Sequence, residues 1–169
     1  DKIDLGKLIK FEDDGPIARN DTDTVTEGVI QPATGNVVNG IDGVLGIDEN
    51  GEDGVADNAG TDGLASVTWQ GAVGNTVTGK YGTLTVDANG NYRYDLNEDD
   101  PDLKNLDTGE SDYETFTYTI TDKDGDTDTA TLKIKVIGEN DTNKPNFEDE
   151  NALVDEDGLT GGILNDPVP

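Results

Sequence analysis

Glu114-Thr115-Phe116-Thr117-Tyr118-Thr119-Ile120-Thr121, the turn Asp122-Lys123-Asp124-Gly125-Asp126, and the run from Thr127 to Ile137 decide the fold. In the first run Phe116, Tyr118 and Ile120 alternate with threonines; in the second Ala130, Leu132, Ile134 and Val136 alternate with Thr and Lys. A period of two places the apolar set on one face of a strand and the hydroxyls on the other. Two such runs joined by a short turn containing Asp-Gly form a β-hairpin.

The same reading extends outward. Tyr81 to Val86 and Tyr92 to Leu96, joined by Asp87-Ala88-Asn89-Gly90-Asn91, make a second hairpin, with Tyr92, Tyr94 and Leu96 on one face. Upstream, shorter strands are expected at Thr22 to Glu27, Gly35 to Val38, Leu64 to Trp69 and Asn75 to Thr78, and only Pro101 to Leu106 offers a helical turn. About seven to eight strands, each with one buried face, predict an all-β, immunoglobulin- or cadherin-like antiparallel β-sandwich. Trp69, Tyr92, Tyr94, Phe116 and Tyr118 are expected in its core, since aromatic residues at period two are ordinary sheet interior.

Charge narrows the chemistry. The 169 residues carry 38 acidic and 11 basic side chains, a formal net charge of -27. Such a chain repels itself, nucleic acid and anionic membrane surfaces, and attracts cations. It contains neither Cys nor His. That removes thiolate and imidazole metal sites, Ser-His-Asp and Cys-His nucleophiles, and the commonest general base. Carboxylates, Asn and main-chain carbonyls remain, a hard-oxygen set suited to calcium. Acidic pairs are too abundant for any one of them to indicate glycoside hydrolysis, so catalysis is not expected. An ice-binding face would need a regular flat array of threonines; those of residues 115–121 belong to a single strand, and this reading is set aside. No run of about 18 apolar residues and no signal peptide occurs, so the export route is expected to lie outside this stretch.

An internal repeat organises the chain. Ile3 through Pro16 and Leu132 through Pro145 are each 14 residues long, 129 apart, and run from an alternating apolar strand into an acidic linker ending in proline. Thr24-Val25-Thr26-Glu27-Gly28 returns as Val154-Asp155-Glu156-Asp157-Gly158. We therefore read 1–15 as the last strand and linker of a preceding repeat, 16–145 as one whole repeat, and 146–169 as the opening of the next, which is expected to fray without its own partners.

Four acidic clusters are candidate calcium ligands. Glu12, Asp13 and Asp14 at one linker, and Glu139, Asn140, Asp141 and Asn143 at the other, either bind calcium that stiffens the joint or remain solvated hinges. Asp122, Asp124 and Asp126, with Asp128 beyond, resemble the opening of an EF-hand. Gly125 stands at the fourth position instead of the sixth and no glutamate follows at the twelfth, so the segment is not one. In an immunoglobulin-like topology this turn lies where the first strand begins and could complete a site with Asp13, Asp14 and Asp21; a plain Asp-Gly turn is the equal alternative. The insertion from Asp42 to Asp62, with Asp48, Asn50, Glu52, Asp53 and Asp57, is organised by calcium or disordered. Around Asn97 to Asp102, helix capping is favoured over metal binding.

Tyr81-Gly82-Thr83-Leu84-Thr85-Val86-Asp87-Ala88-Asn89-Gly90-Asn91-Tyr92-Arg93-Tyr94, then Phe116 through Asp122 and Gly138-Glu139-Asn140-Asp141, resemble the VCBS repeat of bacterial RTX adhesins over roughly residues 75–145. Thr24-Val25-Thr26-Glu27-Gly28 and Gly35-Asn36-Val37-Val38 are similar to the start of bacterial cadherin-like repeats. The resemblance implies a type I-secreted protein of the bacterial cell surface, built of many modules with calcium at their junctions and engaged in attachment or biofilm formation. It also implies that Glu139 to Asn143 matches the cadherin linker and Glu27 the first-strand glutamate. The insertion at 42–62 departs from the family, and Phe11 to Pro16 lacks the Asn-Asp pair of the second linker. The expected function is a calcium-rigidified, monomeric extender whose partners are neighbouring repeats of the same chain. The alternative is a glycan- or peptide-binding module using calcium, the 42–62 loop and Trp69.

Overall fold

The computed structural model describes residues 14–42 and 55–139, within the first of two units, Asp1–Glu139. Nine strands are formed there: β1 Asp21–Thr26, β2 Ala33–Asn36, β3 Ile41–Asp42, β4 Leu64–Trp69, β5 Thr76–Thr78, β6 Gly82–Val86, β7 Asn91–Leu96, β8 Ser111–Asp122 and β9 Thr127–Ile137. They lie in two sheets, β1-β9-β8-β4 and β3-β2-β7-β6-β5. The fold is an all-β sandwich. Its sole helical element among the described residues is a 3-10 turn, Leu103–Asn105, and no helix there is long and apolar enough to cross a membrane.

Both hairpins read from the sequence are present, with β8 pairing antiparallel to β9 from Ser111↔Ile137 to Thr121↔Thr127, and β6 to β7 from Gly82↔Leu96 to Val86↔Tyr92. The inward phase of each strand supplies the core. Tyr94, Tyr118, Leu84, Ile120, Leu132, Ile134 and Val136 are fully buried, and Trp69 packs against Tyr118 with ring centroids 5.3 Å apart. Trp69 is 7% exposed, so it is a core anchor and offers no open ring for stacking a ligand.

β1 runs parallel to β9, from Asp21↔Leu132 to Thr26↔Ile137. This pairing has a directional consequence. The segment before β1 lies beside the β8–β9 turn: Ala18 N–H donates to Asp128 Oδ2 (2.8 Å), and Thr131 N–H to Asn20 Oδ1 (3.0 Å). The chain therefore comes in at the hairpin pole and leaves β9 at the opposite pole, about 35 Å away for eleven residues of strand.

The outward phase of the β1-β9-β8-β4 sheet is rich in hydroxyls. Thr22, Thr24 and Thr26 on β1, Thr127, Thr129 and Thr131 on β9, Thr115, Thr117, Thr119 and Thr121 on β8, and Ser66 and Thr68 on β4 share it. The threonines of 115–121 are thus joined by hydroxyls on the other three strands of the sheet, and do not stand on a single strand. The carboxylates of this sheet, Asp21, Asp23, Asp112, Glu114, Asp122 and Asp128, all stand in the inward phase.

Candidate metal centre

The β8–β9 turn begins with Asp122 in phase with Ile120 and Tyr118, so its side chain is carried inward and is 2% exposed. Asp122 N–H donates to the Asp126 carbonyl (3.0 Å), closing the loop, and Gly125 takes φ 103° to complete it. Oδ1 of Asp122 accepts the Gly125 and Asp126 N–H groups at 2.9 and 2.7 Å. Oδ2 is buried and has no hydrogen-bond partner among the described residues. Carboxylate oxygens of Asp122, Asp124 and Asp126 lie within 4.8 Å of one another. The Asp124 carboxyl, with the Gly125 and Asp126 amides, holds Asp122 below the usual carboxylate range.

A buried carboxylate oxygen without a donor is costly, and two further carboxylates beside it add repulsion. A cation satisfies both demands. Three carboxylates with no nitrogen or sulfur among them fit a hard ion, and calcium tolerates the incomplete, flexible cage that solvent would finish. Gly15 lies against the same turn, where an added Cβ would stand 3.5 Å from Asp126 Oδ2.

Asp21 and Asp57 are gathered elsewhere at this pole, around the hydroxyl of Tyr118. That hydroxyl stands 2.7 Å from the Arg19 carbonyl, 2.8 Å from Asp21 Oδ2 and 3.2 Å from Asp57 Oδ2, three acceptors for one proton. Asp57 Oδ1 accepts the Arg19 N–H (2.6 Å). Burial pushes Asp21 up to about 7, against the Tyr118 hydrogen bond and with help from Asp57, and raises Asp57 as well. Asp14 is exposed, its carbonyl facing Gly60.

At the outgoing pole Glu27, 5% exposed, accepts the Glu139 N–H on Oε2 (3.0 Å), while Gly28 N–H donates to Glu98 Oε2 (3.3 Å). Glu27 and Glu139 are therefore neighbours. Within the segment expected to cap the helical turn, Asp100 Oδ1 accepts the Asp102 and Leu103 N–H groups, while Asp102 at the N-cap position makes no side-chain cap bond. Glu12, Asp13, Asp48, Asn50, Glu52, Asp53, Asn140, Asp141 and Asn143 lie outside the described residues.

The family model for the bacterial cadherin-like domain matches residues 13–138. The chain belongs to that family. No curated protein matches it. The match covers the incoming segment, all nine strands and the whole β8–β9 turn, so the acidic centre falls within the cadherin-like domain itself.

Proposed function

We propose that this cadherin-like domain is a calcium-stabilised, non-catalytic spacer in the tandem array of a type I-secreted bacterial surface adhesin, serving attachment or biofilm formation. The repeat boundaries are those read from the sequence, with 16–145 as one unit between neighbours of the same chain. The observation that carries this reading is the buried, donorless Oδ2 of Asp122 facing the carboxylates of Asp124 and Asp126. Asp122, Asp124 and Asp126 would hold the ion, and its charge would replace the missing donor and cancel their repulsion. Incoming and outgoing chain at opposite poles is the arrangement that lengthens an array with each added unit. Glu27 and Glu139 at the outgoing pole would supply oxygens to the next junction.

Thermal unfolding in EDTA, in millimolar calcium, and in magnesium at matched ionic strength tests the proposal. A melting temperature raised by calcium well beyond magnesium supports specific sites on the folded state. An equal rise with magnesium or simple salt would reduce the acidity to screened surface charge and remove the reading.

A further inference from the structure

We infer that the outward face of the β1-β9-β8-β4 sheet, toward the outgoing pole, docks an anionic polysaccharide whose sugars bear carboxylates. This face is the anomaly of a chain with net charge -27: among the described residues of the sheet no carboxylate occupies an outward position, and two lysines do. Lys80, Arg93 and Lys104 each pair with an aspartate, whereas among the described residues Lys133 and Lys135 form no ion pair. Lys133 Nζ lies 4.0 Å from the centroid of the Tyr113 ring, which holds the ammonium over the face.

Register sets these cations among hydroxyls. Lys133 lies opposite Thr22 on one side and Thr115 on the other, and Lys135 opposite Thr24 and Tyr113. Strand neighbours are about 4.8 Å apart and successive outward residues about 6.7 Å. A polymer laid on this grid meets ammonium groups that suit its carboxylates and hydroxyls that both donate to and accept from its own. A protein partner would require an apolar centre, and Tyr113 is the large exposed apolar side chain on this part of the face. Duplex nucleic acid, with one charge per about 1.7 Å, sets a far denser repulsion against the net charge of -27 than a polymer with one carboxylate per sugar. The lysines and Tyr113 also interrupt the hydroxyl lattice that crystalline water would need. The inference stands apart from the calcium centre, which lies at the other pole.

The test is binding of the whole chain, in millimolar calcium, to immobilised polygalacturonate, with neutral dextran as reference. The expected result is retention on polygalacturonate alone, weakened at least about tenfold in Lys133→Gln/Lys135→Gln and unchanged in Lys104→Gln. Each variant is first checked for an unchanged melting curve; if the double variant does not fold, Lys133→Gln and Lys135→Gln singly are each expected to weaken retention several-fold. Absence of retention, equal retention on dextran, or equal retention of the lysine variants would overturn the inference. So would a dimer in sedimentation that the lysine substitutions dissolve, which assigns the face to a second copy.

Discussion

Glu114 Oε1 on β8 accepts the main-chain N–H of Tyr81, ahead of β6, at 2.6 Å, a bond that crosses from one sheet to the other. The same carboxylate accepts the Lys80 N–H (2.9 Å) and the Tyr94 hydroxyl, and Glu114 is 6% exposed. Burial pushes the Tyr94 hydroxyl up, so it stays protonated and donates. Beside it, Asp112 accepts the Tyr81 hydroxyl (2.6 Å) and Lys80 Nζ (2.9 Å), which hold its carboxyl well below the ordinary range. Glu114→Ala strands three donors at once and is expected to cost roughly 3 kcal/mol or more; Glu114→Gln keeps an acceptor and costs about half as much. Urea denaturation checks this: the midpoint falls in that order while the slope stays constant.

Gly60 fixes how the incoming segment meets the loop before β4. It sits at φ +75°, and an added Cβ would stand 2.5 Å from the Asp14 carbonyl oxygen. Ile17 and Asn58 exchange both main-chain hydrogen bonds alongside, at 2.7 and 2.9 Å. Gly60→Ala must give up either the positive φ or this close approach, at about 1–3 kcal/mol. Hydrogen exchange at the Ile17 and Asn58 amides is expected to accelerate, with little change at the Leu132 and Ile134 amides of the β8–β9 ladder.

Asp122→Asn separates the turn from the metal. The amide oxygen can keep the bonds from Gly125 and Asp126, so the hairpin closes as before. What is lost is the charge of the donorless carboxylate. In EDTA the variant is expected to melt somewhat below the parent temperature, because the charge that Asp124 and the Gly125 and Asp126 amides favour is gone; in calcium it is expected to lose most of the parent's gain as well. A calcium response undiminished in Asp122→Asn would place the ion elsewhere.

The two hairpins were legible because β6 to β9 alternate without interruption, and β9 begins and ends where the periodicity places it, at Thr127 and Ile137. β3 is two residues long, too short to carry a period, and β5 offers only Thr76–Thr78. The Asp122 turn was legible as an acidic loop, yet its decisive feature, a carboxylate oxygen buried without a donor, depends on packing beyond the turn. Glu114 and Asp23 carried a readable signal: each stands in the inward phase of its strand, in step with Phe116 and Val25, where an acid must find donors. Asp23 meets the Tyr92 hydroxyl at 2.8 Å. The meeting of Asp21, Asp57 and Tyr118 joins positions far apart in the chain, and no local pattern foretells it.

That meeting gives the stability a pH dependence of known sign. Asp21 binds its proton more tightly folded, at about 7, than unfolded, near 3.8. Between those values the folded state holds the additional proton, so stability is greatest at the acidic end of the window and falls as pH rises toward and through 7. Lowering pH from 7.5 to 5.5 at constant ionic strength and in EDTA is expected to raise unfolding free energy by about 2 kcal/mol. The carboxyls held low, Asp112 and Asp87, oppose this only at more acidic pH, where they begin to protonate. Asp21→Asn offers Tyr118 an uncharged acceptor and is expected to flatten the 5.5 to 7.5 profile, leaving the acid limb in place. Urea midpoints across that range decide it: a parent profile that rises with pH, or one that Asp21→Asn leaves as steep, would remove Asp21 as its source.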